Sequence, residues 1–461
     1  MGKMKSFSKD ILILGGGISG LSIGYHLKKK GISFSLIEKE KRLGGVIQSV
    51  HEKGFLLERG PNSLLNTHPH LEEMVKDLGL EKDICFAHKS AKNRFIVKQG
   101  RLIPMPLGPF SFLTTSLFSW KTKIGLCREP FVPRGPKGES LADFVKRRLG
   151  EEFLDYAINP FVAGVYAATP ENLSLEYGFP KLFQLEQDYG SLIRGALLKR
   201  RKKDESIPKD RAKIFSFHSG LEQLPKRLEE YLKPDLFLNT EIFSMEKIKP
   251  HGFRIQGKSE GESFEWKCQV LILAIPAYQY KNLPWKWEAP SFMKEIPYAP
   301  MAMVFLGYKN KPKGHPLNGY GCLVPEKENR KILGILFNSS LFPNRAPKGG
   351  ALLTVFLGGS RSPEIAGLSE DELVKIAEKE AEELLEFPTS PDVCSAWKVP
   401  YAIPQYDLHH GSRILAIQSY EAKHPGVFFT GNFRDGISLS DCLLKGREWA
   451  QKVEEEIKKR K

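Results

Sequence analysis

Short apolar runs and helix-periodic stretches alternate along the chain, with glycine turns between them. Near the start, the run "ILIL" at residues 11–14 precedes a glycine turn, a helical pattern and an extended run, "SFSLIE". This order predicts a β-α-β unit over residues 10–38. Near the far end, "GVFFTGN" and "DCLLKGREWAQKVEEEIKK" predict a strand, a turn and a helix. Both ends are thus predicted to place a helix directly after a strand and a glycine turn.

The middle of the chain changes its hydrophobic period more than once. Residues 139–205 have amphipathic helical spacing, whereas residues 236–276 contain three stretches with the alternating, β-branched character of strands. Residues 271–394 mix strands with one clear helix, whose start carries a capping box formed by Ser369 and Glu372. No repeat or low-complexity linker separates these segments, so the chain is predicted to weave between domains.

Residues 101–133 differ in character from the rest of the chain. Leu102 to Trp120 contain no charged residue, but three prolines and a glycine interrupt them. A membrane-spanning helix needs ~20 apolar residues without such early breaks. Two interpretations remain open at this point. The segment is either a buried or partly buried loop on the substrate side or a surface that dips into one side of a bilayer.

Composition narrows the classes of partner. The 461 residues carry a net charge of +15, with basic clusters at residues 28–30, 199–203 and 458–461, which favours anionic partners. No nucleic-acid-binding module accompanies these clusters, so no nucleic-acid partner is predicted. The six cysteines are scattered without a C-x-x-C pair, which argues against a metal site or a disulfide framework and favours a reducing compartment. We expect no signal peptide, because the first apolar run is the strand before the glycine turn.

The glycine turn has the spacing of a dinucleotide site. Gly15 permits the tight turn, Gly17 lets a pyrophosphate approach the backbone, and Gly20 lets helix and strand pack closely. The N-terminus of the following helix offers unpaired N–H groups to the phosphates. Glu38 ends the second strand, where its carboxylate can accept hydrogen bonds from a ribose. These features predict a bound nucleotide but do not by themselves distinguish NAD from FAD.

A second glycine turn favours FAD. Arg42 and the pair Gly44-Gly45 follow Glu38 directly, where a simple nicotinamide dehydrogenase would continue with another helix. A second turn suits a longer dinucleotide, with Arg42 available to its phosphate. The helix predicted after residue 438 could face the flavin ring, where its dipole would stabilise negative charge on the reduced ring. FAD is therefore the predicted cofactor.

These motifs resemble those of known flavoenzymes. The N-terminal fingerprint, "RLGGVIQS", "ERGPNS" and "GNFRDGISLSDCLLKG" resemble the flavin amine oxidase superfamily. Within it, "NPFVAGVYAATPENLSLEYGFPKLFQLEQDYGSLIRG" and "KNRFIVKQGRLIPMP" resemble the family of protoporphyrinogen oxidases and the closely related coproporphyrinogen III oxidases. The resemblance runs in order through nearly the whole chain.

The resemblance implies a fold of class α/β plus α with three interwoven domains. Residues 1–80, 205–275 and 395–461 would form a Rossmann-like FAD-binding domain. A mixed-sheet substrate domain would comprise residues 81–100 and 276–394, and residues 101–204 would form a helical, membrane-associating domain. This arrangement favours bilayer contact for residues 101–133.

The implied activity is the FAD-dependent, six-electron aromatisation of a porphyrinogen in haem biosynthesis. The substrate would be protoporphyrinogen IX or coproporphyrinogen III, with O2 as the expected electron acceptor, although a quinone is an alternative. Other interpretations are a related amine oxidase or desaturase acting on another hydrophobic substrate, and a non-catalytic flavin- or tetrapyrrole-binding protein. A cytoplasmic enzyme held peripherally at an anionic membrane surface is expected, and a homodimer is an open alternative.

The resemblance also assigns site residues. Arg94 would pair with a propionate carboxylate of the porphyrinogen, and the backbone at Gly164 would face the pyrrole N–H groups. No catalytic acid or base is predicted; His88, His409 and His410 are interpreted as structural or solvated. The predicted FAD contacts are Gly15, Gly16, Gly17, Ile18, Ser19, Gly20, Glu38, Lys39, Arg42, Val46, Gly60, Pro61, Asn62, Ser63, Ile242, Gly431, Asn432, Gly436, Ile437 and Ser438.

Overall fold

A computed structural model describes residues 4–199, 213–388 and 390–460. Its strands are β1 Lys5–Leu14, β2 Phe34–Ile37, β3 Ser49–Glu52, β4 Phe55–Glu58, β5 Leu64–Leu65, β6 Ile84–Phe86, β7 Phe95–Lys98, β8 Arg101–Pro104, β9 Ile214–Phe217, β10 Leu236–Phe237, β11 Glu241–Lys247, β12 Phe253–Ser259, β13 Glu262–Leu273, β14 Tyr298–Tyr308, β15 Gly321–Leu323, β16 Ile332–Leu336, β17 Ala351–Gly358, β18 Val393–Pro404 and β19 Val427–Phe429. Its α-helices are α1 Ile18–Lys29, α2 Pro69–Asp77, α3 Pro109–Thr114, α4 Trp120–Gly125, α5 Leu141–Leu149, α6 Glu151–Phe153, α7 Asn159–Tyr166, α8 Leu175–Gly178, α9 Pro180–Tyr189, α10 Leu192–Lys199, α11 Gln223–Leu232, α12 Asn338–Leu341, α13 Glu370–Leu385, α14 His410–Lys423 and α15 Leu439–Arg460.

The first sheet is built around the two predicted strand-turn-helix units. Its order is β10-β2-β1-β13-β12-β11, and β19 pairs with the C-terminal end of β13. Strands β10, β2, β1, β13 and β19 run parallel, so the helices that follow β1 and β19 both leave from the same edge. The end of β1 is fully buried, as expected for a parallel strand covered on both faces.

The second sheet has the order β18-β14-β17-β16-β15-β7-β8 and is antiparallel except between β15 and β7. Helix α13 packs against it and begins with the predicted capping box of Ser369 and Glu372, which is confirmed. Two expected domain boundaries cut through this sheet, because residue 101 begins β8 and residue 395 lies inside β18. Strand pairing places β8 and β18 in the second sheet, and the division into domains stays a prediction.

A buried carboxylate organises the helical region between residues 109 and 199. Glu129 is 0% exposed and pairs with Arg148 at 2.6 Å. It also accepts hydrogen bonds from the Ser191 hydroxyl and from the N–H groups of Leu192 and Ile193 at the start of α10. Burial opposes ionisation, but these hydrogen bonds hold the pKa of Glu129 below its usual range. One side chain therefore caps α10 and ties it to α5.

Residues 101–133 form a strand and short helices, and several of their large apolar side chains are exposed. Phe110, Trp120 and Phe131 are 80%, 65% and 80% exposed, whereas Leu117 and Phe118 are buried. Side chains of this segment therefore range from buried to exposed, and both interpretations of it stay predictions. Among the described residues, no helix combines the length and the apolar character needed to cross a bilayer.

The basic cluster at residues 28–30 is engaged within the protein. Lys28 donates to the carbonyl oxygens of Tyr231 and Lys233, and Lys30 pairs with Glu454. These contacts partly neutralise the positive charges of the cluster, so it does not form a free docking surface for anions. Most of the cluster at residues 199–203 lies outside the described residues.

Candidate active site

The first glycine turn presents an uncapped helix end. Gly15 follows β1, Gly17 is the N-cap of α1, and Ile18 begins the helix. The first turn of α1 contains no acidic residue, and no side chain caps its N–H groups. Those donors and the positive end of the helix dipole are therefore available to an anion.

The packing around the turn fits a pyrophosphate. A Cβ atom on Gly20 would lie 2.1 Å from the carbonyl oxygen of Gly15, so helix and turn pack as closely as backbones allow. A Cβ on Gly17 would meet nothing within 4 Å. Open space thus lies where the sequence predicts the phosphates, and contact lies where it predicts packing.

Glu38 is held by the main chain at the end of β2. Its carboxylate accepts the Gly16 N–H at 2.6 Å and the Glu40 N–H at 2.9 Å. These bonds fix the carboxylate directly beside the first glycine turn, while Lys39 is exposed next to it. The ribose contact of Glu38 and the FAD contact of Lys39 stay predictions.

The second glycine turn docks on the first. The Gly44 N–H donates to the Gly16 carbonyl at 2.8 Å. Arg42 donates to the carbonyl oxygens of Gly45 at 2.5 Å and Ile47 at 3.0 Å. These hydrogen bonds commit much of its guanidinium to holding the turn. The structure therefore gives Arg42 a structural role that the sequence did not predict, and its phosphate contact stays a prediction.

Residues 60–63 form a loop beside the second turn. A Cβ on Gly60 would lie 2.1 Å from the carbonyl oxygen of Val46, whose own side chain is 61% exposed. Asn62 accepts a hydrogen bond from Asn338 at 2.9 Å, and Asn338 accepts one from Thr354 on β17 at 2.8 Å. This polar chain joins the predicted flavin-side loop to the second sheet.

The C-terminal loop, residues 431–438, is held by a carboxylate. Asp435 accepts hydrogen bonds from the Thr430 hydroxyl at 2.7 Å, the Gly431 N–H at 3.1 Å and the Trp449 indole at 3.1 Å. The Ser438 hydroxyl accepts the Asp441 N–H at 3.1 Å and therefore caps α15. Because this helix already has a side-chain cap and an acid in its first turn, the uncapped α1 is the better anion site.

The two helices that follow the glycine turns cross closely. The buried Ser22 hydroxyl of α1 donates to the Leu443 carbonyl of α15 at 2.7 Å. A Cβ on Gly446 would lie 2.1 Å from the Ser22 hydroxyl oxygen. The predicted pyrophosphate turn and the predicted flavin loop are thus fixed relative to one another. Ile242, another predicted FAD contact, lies on β11 of the first sheet, opposite Gly257 on β12.

Arg94 lies at the edge of the second sheet, directly before β7. It is exposed, and its guanidinium carbon lies 5.4 Å from the centre of the Tyr320 ring. Its carbonyl accepts the Met105 N–H at 2.7 Å, which fixes the backbone. Within the described ranges, no carboxylate forms an ion pair with Arg94. The guanidinium is therefore stacked on an aromatic ring but electrostatically available to an anionic ligand.

Gly164 is connected to the same edge through Leu323. A Cβ on Gly164, in α7, would lie 2.6 Å from a methyl group of Leu323 on β15. Strand β15 pairs with β7, with Leu323 opposite Ile96. Arg94 stands two residues before Ile96, so the two predicted substrate residues lie near neighbouring strands of one sheet. Their substrate contacts stay predictions.

The three histidines differ in burial, since two are exposed and one is buried. His88 lies 2.9 Å from the Ser90 hydroxyl, and His409 is exposed. His410 is 1% exposed and stacks on Tyr406 with ring centres 4.1 Å apart. Burial, reinforced by the nearby Arg413, lowers the pKa of His410 to about 4. A buried, neutral ring fits the structural interpretation.

Sequence reasoning missed several residues that organise the site. Asn338 holds Asn62, and Tyr406 donates to the Asn432 carbonyl at 2.6 Å and accepts the Gly436 N–H at 3.0 Å. These partners are far apart along the chain and belong to none of the glycine motifs. The one local feature that could have indicated such a residue is the polar dipeptide Gln405-Tyr406 directly after a strand.

Comparison with known proteins places this arrangement in a family. A family model described as flavin containing amine oxidoreductase matches residues 18–453. The chain is 31% identical to protoporphyrinogen oxidase 2 of Arabidopsis thaliana over 96% of this chain and 94% of that protein. It is 26% identical to coproporphyrinogen III oxidase of Bacillus subtilis (strain 168), over 96% and 97% of the two chains.

Among solved structures, the putative protoporphyrinogen oxidase from Exiguobacterium sp. 255-15 superposes with a TM-score of 0.81 at 24% identity, covering 98% of this chain and 100% of that chain. This likeness shows the shared fold. The family match confirms the flavin cofactor predicted from the two glycine turns. The chain belongs to the flavin containing amine oxidoreductase family, within its protoporphyrinogen and coproporphyrinogen III oxidases.

Proposed function

We propose that the protein oxidises a porphyrinogen to the corresponding porphyrin in haem biosynthesis, with FAD as its cofactor. The substrate is protoporphyrinogen IX or coproporphyrinogen III, since relatives named for each reaction match nearly the whole chain. The observation that carries the proposal is the position of Arg94. Its exposed guanidinium, stacked on Tyr320, lies on the sheet edge that also contacts Gly164 through Leu323.

The residues of this chain bind and orient rather than donate protons. The planar guanidinium of Arg94 can hold a propionate carboxylate through two parallel hydrogen bonds. Gly164 is exposed in α7 and its missing side chain makes room for Leu323, while its backbone is proposed to face the pyrrole N–H groups. Bound FAD would accept the six electrons in three two-electron steps. No protein nucleophile is required in this proposal.

The FAD lies across the two glycine turns in this proposal. The uncapped N-terminus of α1 binds the pyrophosphate, and Glu38 accepts hydrogen bonds from the ribose. The loops at residues 60–63 and 431–438 hold the flavin ring. Hydrogen bonds to neighbouring parts of the fold fix both loops. The fixed loops support a preorganised flavin site.

Peripheral membrane association is a further part of the proposal. We use the term helical apolar surface for eight exposed side chains on the loop before α3, on α3 and α4, on the segment after α4 and on α10: Leu107, Phe110, Leu113, Trp120, Ile124, Phe131, Ile193 and Leu197. Exposed cations, Lys121, Arg128 and Arg134, lie in the same segment. Apolar groups that enter the interface beside cations suit an anionic bilayer surface. We propose O2 as the electron acceptor and leave a homodimer to solution measurement.

The test is porphyrin formation by the purified FAD-bound protein. Fluorescence of the product is followed separately with protoporphyrinogen IX and coproporphyrinogen III, in air and without oxygen. We expect oxidation of one or both far above the spontaneous rate in air, and a single reduction of the flavin without oxygen. A protein that binds FAD but does not accelerate oxidation would be a flavin- or tetrapyrrole-binding protein. Turnover of polyamines instead would indicate an amine oxidase.

A further inference from the structure

Gln405 and Tyr406 follow β18 directly and contact both sides of the proposed active site. Both side chains are buried, at 8% and 5% exposure. Consecutive side chains of an extended segment point to opposite sides. Gln405 accordingly contacts the end of α7, whereas Tyr406 contacts the C-terminal loop.

On the substrate side, Gln405 holds the C-terminal end of α7. Its side-chain amide donates to the Tyr166 carbonyl and to the Ile403 carbonyl, each at 2.9 Å. Gly164 lies two residues before Tyr166 on this helix. The Ser360 N–H donates to the next carbonyl, that of Ala167, at 2.7 Å. The end of α7 is therefore fixed by two hydrogen bonds from the second sheet and its extension.

On the flavin side, Tyr406 closes the C-terminal loop. Its hydroxyl accepts the Gly436 N–H at 3.0 Å and donates to the Asn432 carbonyl at 2.6 Å, so one oxygen joins the two ends of a five-residue stretch of the loop. The ring is held by His410, stacked at 4.1 Å with an angle of 19°, and the Tyr406 carbonyl accepts the Ser174 N–H at 2.9 Å. A hydroxyl on a ring held in this way has little freedom to move.

We propose that Gln405 and Tyr406 are positioning residues that together set the separation between the substrate-facing helix α7 and the flavin-facing loop at residues 431–438. Transfer between a bound substrate and a flavin requires reacting atoms within roughly 3–3.5 Å, so a small change in this separation alters the rate strongly. The inference rests on the proposed function for its substrate arm. Its flavin arm depends only on FAD binding.

The flavin arm is tested without a porphyrinogen. Tyr406→Phe removes the bridging hydroxyl and keeps the ring against His410. Tyr308→Phe is the matched control, because this buried tyrosine also donates to a carbonyl, that of Pro388, at 3.0 Å on the second sheet. We expect Tyr406→Phe alone to change the visible circular dichroism of the bound flavin and its midpoint potential. Values equal to those of Tyr308→Phe would overturn the assignment of Tyr406.

The joint role is tested by a double-mutant cycle. Gln405→Met removes the amide donors at similar side-chain length, and the rate constant of anaerobic flavin reduction at saturating porphyrinogen is measured for both single variants and the double variant. We expect each single variant to slow flavin reduction about tenfold or more. The fold-loss in the double variant should be smaller than the product of the two single fold-losses. Thermal unfolding of each variant confirms that it is folded. Unchanged single variants or strictly multiplicative losses would overturn the joint role.

The two proposals fail in different ways. If the wild-type flavin is not reduced by either porphyrinogen, the proposed function is wrong, whereas the circular dichroism and potential of Tyr406→Phe still decide the flavin arm. If porphyrinogen reduces the wild-type flavin and both variants behave like Tyr308→Phe, the proposed function stands and the positioning inference is wrong.

Discussion

Glu58 and Arg345 form an ion pair at 3.2 Å in which both side chains are only 1% exposed. Glu58 ends β4, directly before the loop at residues 60–63, and Arg345 lies in the second sheet's connections between β16 and β17. Arg345 also donates to the Ser216 hydroxyl of β9 at 2.6 Å. Burial raises the pKa of Glu58, and the guanidinium opposes this rise. One buried pair therefore joins the elements that flank the proposed flavin and substrate sites.

Removal of one partner from this pair should destabilise the whole fold. Arg345→Met leaves the Glu58 carboxylate buried without its counter-charge, which typically costs about 3–5 kcal/mol. Urea denaturation monitored by tryptophan fluorescence measures the free energy of unfolding. Lys5→Met is the control, because its ion pair with Glu262 is more than half exposed and should contribute less than about 1 kcal/mol. Equal losses in the two variants would contradict a structural role of the buried pair.

The second and third glycines of the fingerprint, Gly17 and Gly20, should respond differently to an added methyl group. Gly17→Ala places a Cβ in open space, so the FAD-free protein should keep its stability while FAD affinity falls, because the methyl group occupies the proposed pyrophosphate position. Gly20→Ala forces a Cβ to 2.1 Å from a carbonyl oxygen and should lower both the stability of the FAD-free protein and its affinity for FAD. Thermal unfolding and FAD titration of the apoprotein separate these outcomes. Gly367→Ala, also in open space, should change neither.

Arg94→Ala should weaken substrate binding with little effect on FAD content. A hydrogen-bonded charge pair is worth about 1.5–3 kcal/mol, which corresponds to roughly a 10–100-fold rise in KM. The control Arg101→Ala removes an exposed arginine from the paired strand β8. Steady-state porphyrin fluorescence gives KM, and flavin absorbance per protein gives FAD content. An unchanged KM would show that Arg94 is not the carboxylate-binding residue.

The helical apolar surface should mediate binding to anionic vesicles. Replacement of Phe110 and Phe131 together by Asp adds charge where both rings are 80% exposed and should reduce cosedimentation with phosphatidylglycerol-containing vesicles several-fold. Leu415→Asp changes a side chain of similar exposure, 66%, on α14 and should leave binding intact. Comparable binding by all three proteins would show that another surface, or none, contacts the membrane.

Stability should fall as the pH is lowered from 6.5 towards 4. Burial first, and Arg413 second, lower the pKa of His410 from 6.5 to about 4, while Asp407 opposes this shift. In this range the unfolded chain binds a proton that the folded protein excludes, so the free energy of unfolding decreases with decreasing pH, by at most about 1.4 kcal/mol per unit. His410→Phe should reduce this slope, whereas His251→Phe, at an exposed site, should not. Denaturation at pH 7, 6 and 5 measures the slope.

The strand-turn-helix units at the two ends of the chain could be predicted because their signals are local. The apolar run of β1, the glycines after it and the helical period of α1 lie within about 20 residues, and the capping box of α13 within four. The glycine motifs likewise indicated a flavin. The expected phosphate contact of Arg42 is less local. That contact depends on the direction of the Arg42 guanidinium, which in the structure donates to carbonyl oxygens of its own turn.

Two expected domain boundaries cut through the second sheet for a related reason. Nothing in the composition of residues 101–104 or 395–404 indicates which sheet they join, because sheet membership is decided by hydrogen bonds to strands far along the chain. The exposed side chains after residue 104 were ambiguous in the same way. Their apolar character is visible in the sequence, whereas their exposure depends on what packs over them.

By itself, the sequence determined the chemistry of the turns: which residues permit a phosphate to approach, where helices begin and which cofactor their pattern favours. Only the tertiary structure decided which distant residues hold those turns in place. Tyr406 reaches Asn432, Asn338 reaches Asn62 and Arg345 reaches Glu58 because two sheets and their connections bring them within hydrogen-bond distance. Such contacts follow from the order and pairing of strands that lie far apart along the chain, which no local pattern in a single sequence encodes.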